Sequence, residues 1–497
     1  MFHKRLSLCV LILLVAFPVS GAQPPATPPP LSPRPDVTAR DLDALRHEEW
    51  LGIYLDGAKI GYLHTAFQKR TDDGLTYYRE LKVMVQRLQV AGQKLEYRTT
   101  ETMDYEARPP FRLFRAESTA TDGKISQSVK LVAKGDQWEV IVREGDDTTT
   151  RKLKALDVTA ADNAVMDLWV KAGPAKGATF TSQTLSLEHL ELEPVTLKAL
   201  GTREVLHQGV KVKVREFHVS TRDSTTPALA RLDDKGQPLT VELPIGIEMR
   251  RETEEQAKDI TFSSDLFTGS LARLDKGLGE GGRVKRLVLR AEGKVVGLLP
   301  DGPRQTVSPQ GGDVYLVQLG EKHGKPARAT EKEIRDALLA DKEHPLDHAR
   351  VVALAKEAVG DARTDREKVE RLIKFVHEFI QPSWQEAGTT ANIHDILQRK
   401  TGVCRHYALL FTTLARASGI PAREVHGAVY MGDEHKAFGL HAWAEVVLDG
   451  HWVMVDPALN TADPEALYVC FGAGRAGSEV SFQTFGKLSF QLVEVER

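Results

Sequence analysis

The sequence predicts an α+β protein in which a large antiparallel β domain precedes a mixed domain of helices and strands. Two observations carry this. Between about Glu48 and Lys258 apolar and polar residues alternate with period two, as strands with one buried face require. Beyond residue 326 apolar residues recur instead at helical spacing, with turn and strand signals between them. At 497 residues the chain exceeds what one core usually serves, so more than one domain is expected. Its 41% hydrophobic and 27% charged residues exclude a disordered, collagenous or multispan membrane chain. Lys and Arg number 66 against 69 Asp and Glu, a net charge of −3 without a long single-sign block, which argues against nucleic acid as a partner.

In chain order, His3, Lys4 and Arg5 precede an apolar run from Leu6 to Phe17, and the small residues Ser20 and Ala22 mark a cut after Ala22. Residues 1–22 therefore read as a secretory signal peptide. The run is short of the roughly 20 residues that span a bilayer, and Cys9 lies inside it rather than at its end, so neither an uncleaved anchor nor a lipid-modified cysteine is expected. The mature protein is expected to be exported, periplasmic or secreted, with no stable membrane span. Residues 23–39, with prolines crowded between Pro24 and Pro35, follow as an extended linker.

The β domain is placed at residues 40–275. Leu81, Val83 and Val85 alternate with Lys82, Met84 and Gln86, and similar runs occur at Ile125 to Val132 and Val210 to Val219. Asp56-Gly57, Asp73-Gly74, Asp122-Gly123 and Lys235-Gly236 supply residues that tolerate the positive φ of tight hairpins. One helical pattern interrupts the strands at Ala160 to Lys171, where Val165, Leu168 and Trp169 share a face. The region resembles the open β half-barrels of periplasmic lipoprotein-carrier-like domains. Lys276 to Gly282 formally matches GxGxxG, but strand-like residues Val284 to Arg290 follow instead of the helix a pyrophosphate needs, so it reads as a linker. A short β segment is expected at 283–325.

The last domain, 326–497, begins helically. Thr364-Asp365-Arg366-Glu367 is a capping box ahead of Val369, Leu372, Ile373, Val376, Phe379 and Ile380, and Ile393 to Leu397 suggests a further short helix. Gly402-Val403-Cys404 then opens a helix with Tyr407, Leu410, Phe411 and Leu414 on its buried face, stopped by Gly419-Ile420-Pro421. Cys404 thus sits where the helix dipole stabilises a thiolate and free backbone N–H groups can receive an oxyanion. Asp449-Gly450 is a two-residue hairpin turn that sets Leu448 opposite His451, hence Trp443 opposite Asp456 and His441 opposite Ala458. His441 and Asp456 become diagonal neighbours on one face, about 7 to 8 Å apart at Cα. The carboxylate could hold one ring nitrogen while the other takes the thiol proton.

Gly402-Val403-Cys404, Gly419 to Arg423, His441-Ala442-Trp443 and Trp452 to Pro457 together resemble the core of the transglutaminase-like superfamily, relatives of papain-type cysteine proteases. The likeness covers about Pro345 to Arg497, and the chain is similar to exported bacterial proteins that place such a domain behind a β-rich region. The resemblance implies a papain-like fold, Cys404, His441 and Asp456 as catalytic triad, and Trp384 as an oxyanion donor through its indole N–H. It implies acyl transfer or hydrolysis of amide bonds, in a peptide or a glutamine side chain, through a thioester on Cys404. A peptidase with the same triad and a non-catalytic binding scaffold are the alternatives.

Other residues have plainer readings. Cys404 and Cys470 could be bridged in an exported protein, although Cys470 in Tyr-Val-Cys-Phe reads better as a small core residue. His406 diverges from Cys404 around the helix and is a poor base. Arg405 could lower the thiol pKa but reads first as a solvated surface residue, His426, His435 and His451 read as structural or surface residues, and Glu445 as a buried partner of Arg423. HExxH, paired CxxC, EF-hand, Walker A and GxSxG patterns are missing from the sequence, so no metal or cofactor is expected. The expected partner is a protein or peptide substrate, and no oligomeric state is assigned.

Overall fold

The computed structural model describes residues 30–497 apart from 34–35, 56, 91–92, 122–125, 145–146, 188–189, 208, 222–226, 244–245, 261–268, 270, 303, 321–326, 342, 389–390 and 485. The signal peptide at 1–22, the first part of the linker, and the turn residues Asp56, Asp122 and Gly123 lie outside the described residues. The chain divides between residues 264 and 265 into two compact units. Among the described residues no helix is long and apolar enough to cross a membrane.

In the N-terminal unit fourteen strands, from His47–Leu55 to Ile247–Glu252, form one antiparallel sheet. The first eight strands neighbour one another in sequence order, and so do the last six. Pairing of the first strand with the fourteenth, Trp50 opposite Glu252 and Ile53 opposite Met249, joins the halves. The sheet edges are therefore Asp147–Lys154 and Thr179–Ser186, the two strands that flank the helix Ala160–Lys171 in sequence. That helix buries a stripe shifted from the expected one: Ala164, Val165, Met166 and Val170 are enclosed, while Leu168 and Trp169 are only half-buried. The alternation in Leu75–Val90 sends Val83 and Val85 to a cluster with Trp50 and Tyr62, while Tyr78 joins Tyr105, Phe111 and the helix residues Ala160 and Ala164. Asp73 and Gly74 both adopt positive φ, 49° and 80°, as their hairpin turn requires.

In the C-terminal unit, Asp265–Arg497, a nine-stranded sheet carries the site. Its order is Gln305–Gly311, Val314–Leu319, Arg286–Glu292, Ser489–Glu496, Ala272–Leu274, Ala437–Leu448, Ala422–Tyr430 and Tyr468–Ala473, with His451–Val455 also paired to Ala437–Leu448. The segment at 283–325 is thus not separate. Its three strands continue this sheet through Arg286 opposite Glu496, and Ala272–Leu274 joins it as well, so the sheet begins well before residue 326. Period two marks a strand but is silent on its partner, which here lies some two hundred residues away.

The helices Ala349–Val359, Asp365–Phe379 and Cys404–Ala417 cover one face of this sheet. Leu354, Leu372, Val376, Leu410, Phe411 and Leu414 pack there against Ala422, Ala444, Val446 and Leu448. The capping box is present: Thr364 Oγ1 accepts from the Glu367 N–H at 3.2 Å and the Glu367 carboxylate accepts from the Thr364 N–H at 3.2 Å. The Cys404 helix is enclosed from His406 to Ala415, and Gly419, at φ 79°, ends it with the Ile420 N–H on the Ala415 carbonyl.

One detail of this sheet makes room for chemistry. One edge of Ala437–Leu448 is paired by Ala422–Tyr430 from Phe438 to Val446. Its other edge is paired by Ala272–Leu274 at Ala437 and Phe438, and by His451–Val455 from Ala444 to Leu448. Among the described residues no strand pairs that edge between those two partners, at residues 439–443.

Candidate active site

Cys404 is the first residue of its helix, with Val403 as N-cap in extended conformation. His441 and the Ala442 backbone N–H both act on its thiol and favour the thiolate. The hairpin follows the expected register from Leu448 opposite His451 to Ala444 opposite Val455, and Asp449 and Gly450 take positive φ, 52° and 76°. The expected pairings of Trp443 with Asp456 and of His441 with Ala458 do not form. Asp456 instead bridges to Thr461, because its carboxylate turns the chain by accepting the N–H groups of Ala458 and Leu459 at 2.9 and 3.1 Å. His441 and Asp456 nevertheless meet, Nε2 donating to Oδ2 at 2.7 Å. With Nε2 so engaged, Nδ1 is the nitrogen left for the thiol.

Asp456 is fully buried and every lone-pair direction is used. Oδ1 takes the two backbone N–H groups, and Oδ2 takes His441 and the Tyr468 hydroxyl at 2.9 Å. Such an anion is stable only because it is paired and hydrogen-bonded. Burial opposes charge on His441, but the bonds to Asp456 and Cys404 overcome it and push the imidazole up to about 10. Burial likewise opposes the Cys404 thiolate, yet His441, Arg405 and the Ala442 N–H together bring the thiol below its ordinary range. Both shifts favour the thiolate–imidazolium form of the pair.

Arg405 is not the surface residue expected from sequence. It is half-buried, its charge helps the thiolate, and its Nη2 donates to the Glu386 carbonyl at 2.6 Å. Glu386 is itself buried, accepting from Arg399 at 3.3 Å and Thr401 at 3.1 Å. Together with the parallel pairing of Gln381–Pro382 on Thr401–Gly402 and the Ser383 N–H on the Gly402 carbonyl, these bonds lock the Trp384–Gly388 turn to the segment entering Cys404. Trp384 is on that turn, 41% exposed. His377, at the end of Asp365–Phe379, donates to the Pro457 carbonyl at 3.2 Å beside Asp456.

The remaining candidates fall outside the relay. His406 caps its own helix by accepting the Val403 N–H and is pushed down to about 3 by burial. His426 is pushed down to about 4 by burial, His435 is exposed, and His451 Nδ1 lies 2.8 Å from the Asp449 carbonyl. Glu445 does pair with Arg423, at 2.7 and 2.8 Å, and Arg423 lies 3.9 Å over the Trp452 ring. Cys404 and Cys470 are both free thiols, so the bridged alternative is not realised. Asp341, Glu343 and His344 bring potential ligand atoms within 4.8 Å. They are already committed elsewhere, since Asp341 accepts two backbone N–H groups and faces Arg416, and His344 meets Thr413 at 2.9 Å.

The two thiols are expected to react differently. Iodoacetamide should modify Cys404 with a midpoint below the free-thiol value of about 8.5, because a lowered pKa leaves more thiolate at each lower pH. Cys470, whose thiol burial pushes up to about 12, should resist. Rates followed by mass on Cys470→Ser protein, with a midpoint at or above about 8.5, would remove the coupled pair from consideration.

Residues 352–457 match the family model of the transglutaminase-like superfamily, and residues 52–245 match a domain of unknown function, DUF6134. No curated protein matches the chain. Among solved structures, a candidate cysteine protease from Cytophaga hutchinsonii is 16% identical over 44% of this chain and 90% of its own, with a TM-score of 0.28. The periplasmic domain of TgpA from Pseudomonas aeruginosa, bound to ethylmercury, is 22% identical over 30% of this chain and 56% of its own, with a TM-score of 0.24. A β-barrel-like DUF1849 protein from Brucella abortus is 12% identical over 42% of this chain and 94% of its own, with a TM-score of 0.30. Residues 352–457, which contain Cys404, His441 and Asp456, form a domain of the transglutaminase-like superfamily.

Proposed function

We propose that the protein is an exported cysteine-dependent enzyme that cleaves or transfers amide-linked acyl groups of a peptide or protein through a thioester on Cys404. The observation that carries this is the His441 imidazole held at 2.7 Å by the buried Asp456 carboxylate, with the Cys404 thiol at a helix start under its influence. In the first step the thiolate sulfur attacks the amide carbonyl. The C–N bond breaks, the His441 imidazolium gives its proton to the departing amine, and the acyl group stays on sulfur. The backbone N–H groups at the start of the Cys404 helix are candidate donors to the oxyanion, with the Trp384 indole as a second. In the second step neutral His441 takes a proton from water, hydroxide oxygen bonds the acyl carbon, and the C–S bond breaks to release acid and thiolate.

Hydrolysis is favoured over cross-linking. Water at about 55 M competes for the thioester unless a shielded channel delivers an amine. The export reading rests on residues 1–22.

Mature protein incubated with chelator, a glutamine-containing peptide library and a labelled primary amine tests the proposal, with Cys404→Ala as control. Ammonia or peptide fragments without label, lost in the control, are the expected products. Dominant amine incorporation would reverse the preference for hydrolysis, and no turnover together with an unreactive Cys404 would leave a binding scaffold.

A further inference from the structure

Tyr468 lies outside the three residues that the hairpin and helix bring together, on a strand separated from Ala437–Leu448 by Ala422–Tyr430. It is 8% exposed, and its hydroxyl donates to Asp456 Oδ2 at 2.9 Å, the same oxygen that holds His441. Its ring packs edge-on against Trp443 at 5.2 Å and tilted against His441 at 6.0 Å. A hydroxyl beside an ionised carboxylate that already binds an imidazolium can only donate.

We propose that Tyr468 is a positioning residue for the reaction proposed above, fixing the Asp456 carboxylate and moderating that carboxylate's hold on the His441 proton. The inference rests on the reading of Cys404 and His441 as the reacting pair. Two donors share one oxygen, so each weakens the other's claim on its negative charge. The positive end of the Tyr468 O–H dipole also opposes the imidazolium. Without that hydroxyl the ring would keep its proton more tightly, and acylation, which must pass that proton to the leaving amine, would slow. The other charged or titratable groups facing this assembly are Cys404 and Arg405 from the helix, His377 at Pro457, and Arg304 and Glu465 on the Tyr468 side. None of them occupies Oδ2.

Tyr468→Phe keeps the ring and removes the donor, and Tyr468→Leu removes both. On a Cys470→Ser background, the rate of iodoacetamide modification of Cys404 should rise in two steps with pH. The first reports thiolate formation. The second reports loss of the His441 proton, which frees a more nucleophilic thiolate. Tyr468→Phe should move the second step up by about half a pH unit or more and, on any peptide the wild type turns over, lower kcat about tenfold with little change in KM. An unmoved second step and unchanged kcat in Tyr468→Phe, with loss only in Tyr468→Leu, would reduce Tyr468 to packing and overturn the proposal. The alkylation profile needs no substrate. If wild type turns over no peptide yet shows both steps, the proposed function fails while the second step still decides the role of Tyr468. A single free-thiol step in wild type would sink both.

Discussion

Under the proposed function, amide turnover is expected to fall by about 10⁴-fold or more in Cys404→Ala, and by nearly as much in His441→Ala. The thiol is the only acyl acceptor in the relay, and without the imidazole neither the thiolate nor the departing amine is served. Asp456→Asn should lose less, about 10² to 10⁴-fold, for a reason visible in the hydrogen bonds. The asparagine oxygen can still accept the Ala458 and Leu459 N–H groups, which leaves its NH₂ facing His441 Nε2. A donor there forces the proton onto Nδ1, the nitrogen that must be free to take the thiol proton. Glu445→Gln should leave turnover within a few-fold of wild type, since Glu445 is committed to Arg423 on the strand pair. Steady-state rates for the four variants settle the assignment. A silent Asp456→Asn beside an inactive Glu445→Gln would show that the wrong carboxylate has been placed in the relay.

Gly427→Ala should damage both the packing of the C-terminal unit and the candidate site. Gly427 lies in the sheet between His441 on one neighbouring strand and Cys470 on the other. A Cβ there would sit 2.1 Å from the Val469 carbonyl oxygen and 2.5 Å from Trp443 Cη2, so either the strand or a buried indole must move. Overpacking of this kind costs about 2–3 kcal/mol, which for a unit of this size lowers its thermal transition by about 5–10 °C. Trp443 stacks on His441 at 6.3 Å and meets Tyr468 at 5.2 Å, so its displacement also loosens the relay and slows alkylation of Cys404. Differential scanning calorimetry with the alkylation assay measures both. An unchanged transition and unchanged Cys404 rate would mean that the strands accommodate the methyl freely.

The parts of the site legible in the sequence are those set by neighbours within a turn or two. Thr364 and Glu367 cap a helix through atoms three residues apart, Gly419 stops the Cys404 helix because it alone tolerates the required φ, and Asp449-Gly450 fixes a hairpin register. From these local rules Cys404 falls at a helix start and His441 falls beside Asp456. The register argument failed only beyond Val455, where the Asp456 side chain takes over the turn and the ladder ends.

By itself, then, the sequence determined the α+β class, the antiparallel N-terminal strands, the helix that presents Cys404 and the hairpin that carries His441 and Asp456. Tertiary structure alone decided which strands complete each sheet: the first with the fourteenth in one unit, and Arg286–Glu292 with Ser489–Glu496 in the other. It also decided that Arg405 is tied to Glu386 instead of solvated, and that Tyr468 shares an oxygen of Asp456 with His441. The physical reason is one of range. Helix caps, turns and periodicity depend on dihedral preferences and bonds among residues a few positions apart, which a pattern of residue types records. A strand's partner, and the polar atom that meets a buried carboxylate, depend on chain closure and on the requirement that buried charge be paired, and both are settled only when distant segments pack together.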